Sequence, residues 1–231
     1  MPVFQLSEEI IFPSPELARK DGLLAFGGDL SEERLITAYS MGIFPWYNEG
    51  SPILWWSPDP RLILIPEELK VSRSLRKVIN KGIFKVTTDT SFEQVIRKCA
   101  EAPREGQGVT WITEEMIEAY IRLHKSGYAH SVESWYEGKL AGGLYGIVLG
   151  KVFFGESMFS KVSNASKVAF VTLVERLKEQ GFCLIDCQVR TEHLLSLGAK
   201  EILRQRFLEM LRDALGKYPS SQPLLKGFIS R

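Results

Sequence analysis

Three apolar segments joined by two short glycine turns are the feature that most limits how this chain can fold. They run from Ala129 to Phe159 as "AHSVESWYEGKLAGGLYGIVLGKVFFGESMF". The turns fall at Glu137-Gly138-Lys139 and Leu149-Gly150-Lys151, and short turns of this kind join antiparallel strands. The pattern therefore predicts three consecutive antiparallel strands.

The residues that follow predict the rest of this unit. "NASKVAFVTLVERLKEQ" has the pattern of a helix ending at Gly181, and "CLIDCQV" that of a strand. The short segment "TEHLLSLGA" and a helix near 204–214 complete it. Three antiparallel strands, a helix, a strand and a helix are the plan of a GNAT-type acyltransferase core. We expect an α+β fold with a mostly antiparallel sheet flanked by helices.

One departure from that plan concerns the acyl donor. Acyl-coenzyme A enzymes of this class usually hold pyrophosphate on a glycine-rich loop at the start of the helix after the third core strand. The corresponding stretch is "SKVSNASKVAF", which contains no glycine. This argues against coenzyme A and favours another kind of acyl donor.

The first third of the chain predicts short elements joined by turns. "RLILIP" has the pattern of a short buried strand, and "ELKVSRSLRKVINKG" that of a helix stopped by Gly82. Thr90 and Glu93 form the pattern of a capping box before a helix near 91–101. We place a small N-terminal α/β domain at 1–80 and the GNAT-like domain at 81–231.

Composition limits the class of protein and the cellular compartment that the sequence allows. The 231 residues are 45% hydrophobic, enough for a sizeable core. We expect no secretory leader and no membrane-spanning segment. The three cysteines are an odd and sparse set, which favours neither a disulfide framework nor a metal site. The sequence favours a cytoplasmic protein without metal or cofactor.

A net charge of +1 conceals a local basic stripe. No acidic residue interrupts it, and its members are Lys70, Arg73, Arg76, Lys77, Lys81 and Lys85. Such a stripe suits a polyanion met at one face. A solvated helix face explains it equally well.

The stretch "GIFPWYNEGSPILWWSPDPR", Gly42 to Arg61, places Trp46, Trp55 and Trp56 among four prolines. Proline removes backbone donors and fixes φ, so this stretch is neither a long helix nor a central strand. Its rings either cover the protein's own core or face a flat ligand.

Polar residues interrupt two apolar strands. Alternation along "LIDCQV" predicts that Asp186 and Gln188 share one face and Cys187 the other. Glu156 interrupts "VFFGESMF" in the same way. Because a buried carboxylate is costly, these groups are either functional or part of a satisfied structural network.

The cysteine and histidine side chains are weaker candidates for catalysis or metal binding. Cys187 has no histidine near it in sequence and is better interpreted as a small buried hydrophobe. The histidines His124, His130 and His193 show no metal-ligand spacing, and we expect them to cap or fill local structure.

Ordered motifs along nearly the whole chain, from about Phe12 to Ala199, resemble the leucyl/phenylalanyl-tRNA–protein transferase family. They are "FPSPELA", "GLLAFGGDLS", "AYSMGIFPWY", "PILWWSPDPR", "TWITEEMIEAYIRLHKSGYAHSVESW", "GGLYGIVLGKVFFGESMFS", "NASK" and "LIDCQV...HLLSLGA". The resemblance implies transfer of Leu, Phe or sometimes Met from aminoacyl-tRNA to proteins with N-terminal Arg or Lys. That transfer marks them for the bacterial N-degron pathway. The resemblance also implies a GNAT-like domain that uses no coenzyme A.

The resemblance further implies roles for individual residues. Gln188 would accept a hydrogen bond from the attacking amine, Asp186 would polarise it, and Glu156 would hold the acceptor's cation. Two groups of positions match the aminoacyl-adenosine site: Tyr39, Trp46, Trp111 and Tyr120 at the 3′-adenosine and aminoacyl end, and Phe153 and Met158 in the side-chain pocket. Trp55 and Trp56 are interpreted as packing.

The chain departs from the family at three of its positions. Phe170 and Leu173 stand where some members carry Leu and Phe, which conserves volume but changes pocket shape. Thr191 replaces an Asn. Two other classes of protein stay open at this point, an acyl-coenzyme A N-acyltransferase and an RNA-binding module without catalysis.

Overall fold

The computed structural model describes residues 2–102 and 111–216. The predicted loop "REGQGVTW" lies almost entirely outside these residues. The strands of a smaller sheet are β1 (Phe4–Leu6), β2 (Leu23–Gly27), β3 (Phe44–Pro45) and β4 (Leu54–Trp56). They lie in the order β1-β2-β4-β3, with only β1 and β2 parallel.

A larger sheet holds the predicted three-strand run. Its strands are β5 (Arg61–Leu64), β6 (Lys85–Thr88), β7 (Ala129–Tyr136), β8 (Lys139–Leu149), β9 (Val152–Ser160), β10 (Leu184–Gln188) and β11 (Lys200–Ile202). They lie in the order β11-β5-β10-β9-β8-β7-β6, and β9 with β10 is the parallel pair among otherwise antiparallel neighbours. The mostly antiparallel sheet predicted from the sequence is confirmed.

Helices flank both sheets. They are α1 (Glu32–Ser40), α2 (Arg73–Asn80), α3 (Phe92–Glu101), α4 (Glu114–Lys125), α5 (Ala165–Glu179), α6 (Glu192–Ser196) and α7 (Arg204–Gly216), with 3₁₀ turns at Pro15–Leu17 and Pro66–Glu68. Helix α5 carries the chain from β9 to β10, the crossover that a parallel pair requires. Its buried apolar side chains pack on β7 and β8. The predicted order of elements in the acyltransferase core is confirmed.

Two local predictions were wrong. The helix predicted over "ELKVSRSLRKVINKG" is interrupted, because the Lys70 N–H donates to the carbonyl of Leu197 and Ser72 caps a shorter α2. The capping box at Thr90 does not form. The Thr90 hydroxyl donates instead to Glu133, and Ser91 is the N-cap residue of α3.

One buried core runs under both sheets and includes Trp55, which is fully enclosed and meets Phe12 edge-on. Strand β5 belongs to the larger sheet although it lies within the first 80 residues. The division at residue 80 stays a prediction. Within the described ranges, no helix has both the length and the apolar character needed to cross a membrane.

Candidate active site

A cavity of about 600 Å³ opens on the larger sheet beside β9, β10 and α6. Most of its wall is apolar or aromatic, as is usual for a pocket that binds a small ligand. Eight of the predicted site residues line it: Trp46, Trp111, Phe153, Glu156, Met158, Phe170, Gln188 and Thr191.

Glu156 is the carboxylate in the wall of this cavity, and three donors hold it. The Tyr39 hydroxyl donates to Oε1 at 2.7 Å and the Tyr120 hydroxyl to Oε2 at 2.9 Å. The carboxamide of Gln188 donates to Oε1 at 2.7 Å. The two tyrosine hydroxyls also contact each other. The buried carboxylate is therefore fixed in position.

Burial raises the pKa of Glu156 to about 7, although its three hydrogen bonds oppose the shift and the nearby Asp186 charge adds to it. Burial and the Glu156 charge raise the pKa values of Tyr39 and Tyr120 well above their usual value. Both tyrosines therefore remain protonated donors. Glu156 itself can gain or lose a proton near neutral pH.

Gln188 is turned towards Glu156 by an irregularity in β10. Pairing with β5 shifts register between Asp186 and Gln188, and Gln188 has φ of +62°. Strict alternation therefore fails here, and the predicted faces were wrong. Cys187 and Gln188 both line the cavity, whereas Asp186 is fully buried and not part of its wall.

Asp186 lies behind Gln188, and both of its carboxylate oxygens accept hydrogen bonds. Its Oδ1 accepts from the Gln188 backbone N–H at 2.9 Å and from Arg61 Nε at 2.8 Å. Its Oδ2 accepts from Arg61 Nη2 at 2.6 Å. Sequence reasoning missed Arg61. The only signal was its place after "SPDP", and nothing there distinguishes a buried arginine from an exposed one.

Three more predicted site residues lie behind the cavity wall. Tyr39 and Tyr120 are fully buried and contact Glu156. Leu173 lies on the buried face of α5 and packs in the core. Their contact with an aminoacyl group stays a prediction.

The three tryptophans of this stretch differ in burial and in what they contact. Trp46 is half-buried and lines the cavity, and its ring packs against Trp56 with centroids 5.7 Å apart. Trp56 Nε1 donates to the Trp46 carbonyl at 2.7 Å, which fixes the backbone there. Trp55 is core, with Nε1 donating to the Gly27 carbonyl. Packing was thus the right interpretation of Trp55 and Trp56.

Thr191 and His193 both line the cavity. The Thr191 hydroxyl caps α6 by accepting from the Leu194 N–H at 3.3 Å. His193, expected to fill local structure, lines the cavity. Burial and the charge of Lys167 lower the pKa of His193, which favours its neutral form.

The basic stripe is exposed along its whole length. Arg73, Arg76 and Lys77 lie on α2, whereas Lys70 precedes the helix. Lys81 is the C-cap residue of α2, and Lys85 begins β6. Only Arg76, among these described side chains, makes a recorded ion pair, at 3.9 Å to Glu175.

The larger sheet and its helices have the element order of a GNAT-type acyltransferase core, and a carboxylate and a carboxamide meet at the wall of its apolar cavity. Two family models match in order. "Leucyl/phenylalanyl-tRNA protein transferase N-terminal domain" covers residues 28–59, and "Leucyl/phenylalanyl-tRNA protein transferase" covers residues 63–212. The chain belongs to the leucyl/phenylalanyl-tRNA–protein transferase family.

Relatives of that name cover nearly the full length of the chain. The one from Syntrophobacter fumaroxidans is 62% identical over 92% of this chain and 91% of its own. The one from Anaeromyxobacter dehalogenans is 58% identical over 98% and 95%. Among solved structures, that of L-PGS from Bacillus licheniformis matches 74% of this chain and 57% of its own, with 13% identity and a TM-score of 0.42. That likeness is too distant to support an inference about activity.

Proposed function

We propose that this protein transfers Leu, Phe or Met from aminoacyl-tRNA to the α-amine of proteins whose N-terminal residue is Arg or Lys. The product would be marked for degradation through the N-degron pathway. The observation that carries the proposal is the bonded pair of Glu156 and Gln188 in the wall of an apolar, tryptophan-lined cavity. Membership of the family supports the same reaction.

The donor, aminoacyl-tRNA, would place its 3′-terminal adenosine and its aminoacyl side chain in the cavity. Trp46 and Trp111 both line the cavity, and unpaired bases are held by stacking on such rings. Phe153, Met158 and Phe170 supply an apolar surface for Leu, Phe or Met. The cavity volume of about 600 Å³ suits a ligand of this size.

The chemistry would be aminolysis of an ester. The lone pair of the neutral α-amine attacks the ester carbonyl, the new C–N bond forms, and the bond from carbonyl carbon to the tRNA 3′-oxygen breaks. One proton passes from the amine nitrogen to that oxygen, which leaves as the 3′-hydroxyl. No oxidant or cofactor is needed for this balance.

Gln188 and Glu156 would hold the acceptor for that attack. The Gln188 amide nitrogen is bonded to Glu156, so its carbonyl oxygen can accept a hydrogen bond from the amine. An α-amine has a pKa of about 7.7–8.0 and must lose a proton before it reacts. Glu156, with a pKa of about 7, can bind the ammonium form and take up that proton. Asp186 would support Gln188 from behind rather than touch the substrate.

The acceptor and donor would meet in the cytoplasm, where charged tRNA is made. The basic stripe would contact tRNA phosphates, which adds affinity without base specificity. The residues of this stripe are Lys70, Arg73, Arg76, Lys77, Lys81 and Lys85.

A transfer assay tests the proposal directly. The purified protein is mixed with Phe-tRNA and short peptides that begin with Arg, Lys, Ala or Nα-acetyl-Arg, and products are weighed by mass spectrometry. We expect the Arg and Lys peptides to gain one Phe residue and the other two to stay unchanged. No gain with intact Phe-tRNA would overturn the proposal. A gain that requires phenylalanyl-coenzyme A instead would favour the acyl-coenzyme A alternative.

A further inference from the structure

Arg61 is a buried cation that lies outside the cavity and is held on three sides. Its side chain is about 1% exposed. The guanidinium lies over the Phe44 ring at 4.8 Å and the Phe207 ring at 4.6 Å from the centroids. Both of its recorded side-chain hydrogen bonds go to Asp186, in a bidentate fork. The two rings and the carboxylate together hold the guanidinium in place.

This arrangement connects to the reaction through the backbone of Gln188. Asp186 Oδ1 accepts from both Arg61 Nε and the Gln188 N–H. Gln188 has φ of +62°, a conformation that is unfavourable for a residue with a side chain and persists only where the surroundings enforce it. That conformation is what brings the Gln188 carboxamide to Glu156.

We propose that Arg61 is a positioning residue, which fixes Asp186 and through it the conformation of Gln188 that the transfer reaction needs. The inference rests on the proposed function. Phe44 also lines the cavity, so the residue whose ring covers Arg61 belongs to the proposed donor site.

A purely structural ion pair explains the geometry less well. Replacing a whole buried ion pair by neutral groups is often harmless or stabilising, so stability alone gives little reason for one here. A neutral apolar pair could not accept the hydrogen bond from the Gln188 N–H. The carboxylate supplies that acceptor, and Arg61 supplies the charge that lets the carboxylate stay buried.

The test is a double-mutant cycle with Arg61→Gln, Asp186→Asn and the double variant. Single-turnover transfer from saturating Phe-tRNA to an Arg peptide is measured beside donor affinity and melting temperature. We expect each single variant to transfer about 10²-fold more slowly with donor affinity little changed, since small misplacements in a site cost that much. The double variant should be no slower than Asp186→Asn, because Arg61 acts only through that carboxylate.

The inference would be overturned if the rate loss of the double variant were the product of the two single losses. Normal transfer by Arg61→Gln would overturn it as well. If Arg61→Gln does not fold, Arg61→Lys replaces it. Lysine keeps the charge but not the fork, so we expect a smaller rate loss that is still not matched by weaker donor binding.

Arg34 provides the matched control. It is also fully buried, but its guanidinium donates to the backbone carbonyls of Ser7, Glu8 and Glu9. Arg34→Lys should lower the melting temperature and leave the transfer rate of the folded protein unchanged. An equal rate loss in Arg34→Lys and Arg61→Lys would assign both to general destabilisation and overturn the inference. A wild-type protein that transfers nothing would instead overturn the proposed function itself.

Discussion

The side-chain amide of Gln188 donates a 2.7 Å hydrogen bond to Oε1 of Glu156, a residue 32 positions earlier in the chain. The bond joins the parallel strands β9 and β10 at the cavity wall. This hydrogen bond uses the amide nitrogen of Gln188 and Oε1 of Glu156. The Gln188 carbonyl oxygen can thereby accept a hydrogen bond from another donor, which we propose is the incoming amine, beside a carboxylate whose pKa burial raises to about 7.

The raised pKa of Glu156 predicts a specific dependence of stability on pH. The folded protein keeps this proton up to about pH 7, whereas the unfolded chain loses it near 4.5. Folding stability from this group is therefore highest below pH 4.5 and falls as pH rises to 7, by a total on the order of 3 kcal/mol. Glu156→Gln removes the titration.

Thermal unfolding of wild type and Glu156→Gln at several values between pH 5 and 8 checks this. The variant should gain stability relative to wild type as the pH increases. Parallel curves for the two proteins would show that Glu156 does not titrate in this range.

Trp46 tests whether the cavity binds the donor. Trp46→Ala should weaken binding of a short aminoacyl-adenosine analogue by about 1–3 kcal/mol, the usual value of one stacked base. Trp46→Phe should recover much of the loss because it keeps an aromatic face. Since Trp46 is only half-buried, we expect a near-normal melting temperature for both variants.

Trp55 is the control for that experiment. It lies in the same loop region but is fully enclosed in the core. Trp55→Ala should cost about 3–5 kcal/mol of folding stability, and the protein that remains folded should bind the analogue normally. Normal analogue affinity in Trp46→Ala would exclude stacking on that ring.

How far the sequence predicts this protein depends on the range of the interactions. The three strands β7, β8 and β9 follow from local turns and alternation, and they were predicted with their turns. The capping box predicted at Thr90 does not form because the Thr90 hydroxyl donates to Glu133 on strand β7. Local patterns contain no information about such partners.

The site shows the same limit. Alternation assigned Asp186 and Gln188 to one face, but the left-handed conformation of Gln188 turns the end of β10. Arg61 lies 125 residues from Asp186 in the chain, so no spacing rule connects them. Family resemblance, rather than periodicity, brought Glu156 and Gln188 into one predicted site.

The basic stripe predicts a change in the salt dependence of tRNA binding. Lys77→Ala/Lys81→Ala removes two exposed charges. If both contact phosphates, the slope of log K against log salt should flatten by up to about 0.9 for each contact, the value for a B-form duplex, and less on single strands. Affinity is measured for two different aminoacyl-tRNAs across a salt series, and both should change alike.

Lys125→Ala/Lys139→Ala removes two exposed lysines outside the stripe and serves as the charge-matched control. It should leave the slope at the wild-type value. Equal slopes in all three proteins would make the stripe a solvated surface and not a tRNA contact.

Two neighbouring residues of the cavity wall give the most direct test of where transfer occurs. Burial raises the pKa of the Cys187 thiol, which favours the protonated form and disfavours a role as a nucleophile. The measurement is single-turnover Phe transfer from saturating Phe-tRNA to an Arg peptide by Gln188→Ala and Cys187→Ala. Gln188→Ala should be at least about 10²-fold slower than wild type, as for other positioned catalytic groups, while Cys187→Ala stays close to wild type. Wild-type transfer by Gln188→Ala, with donor binding intact, would contradict the account.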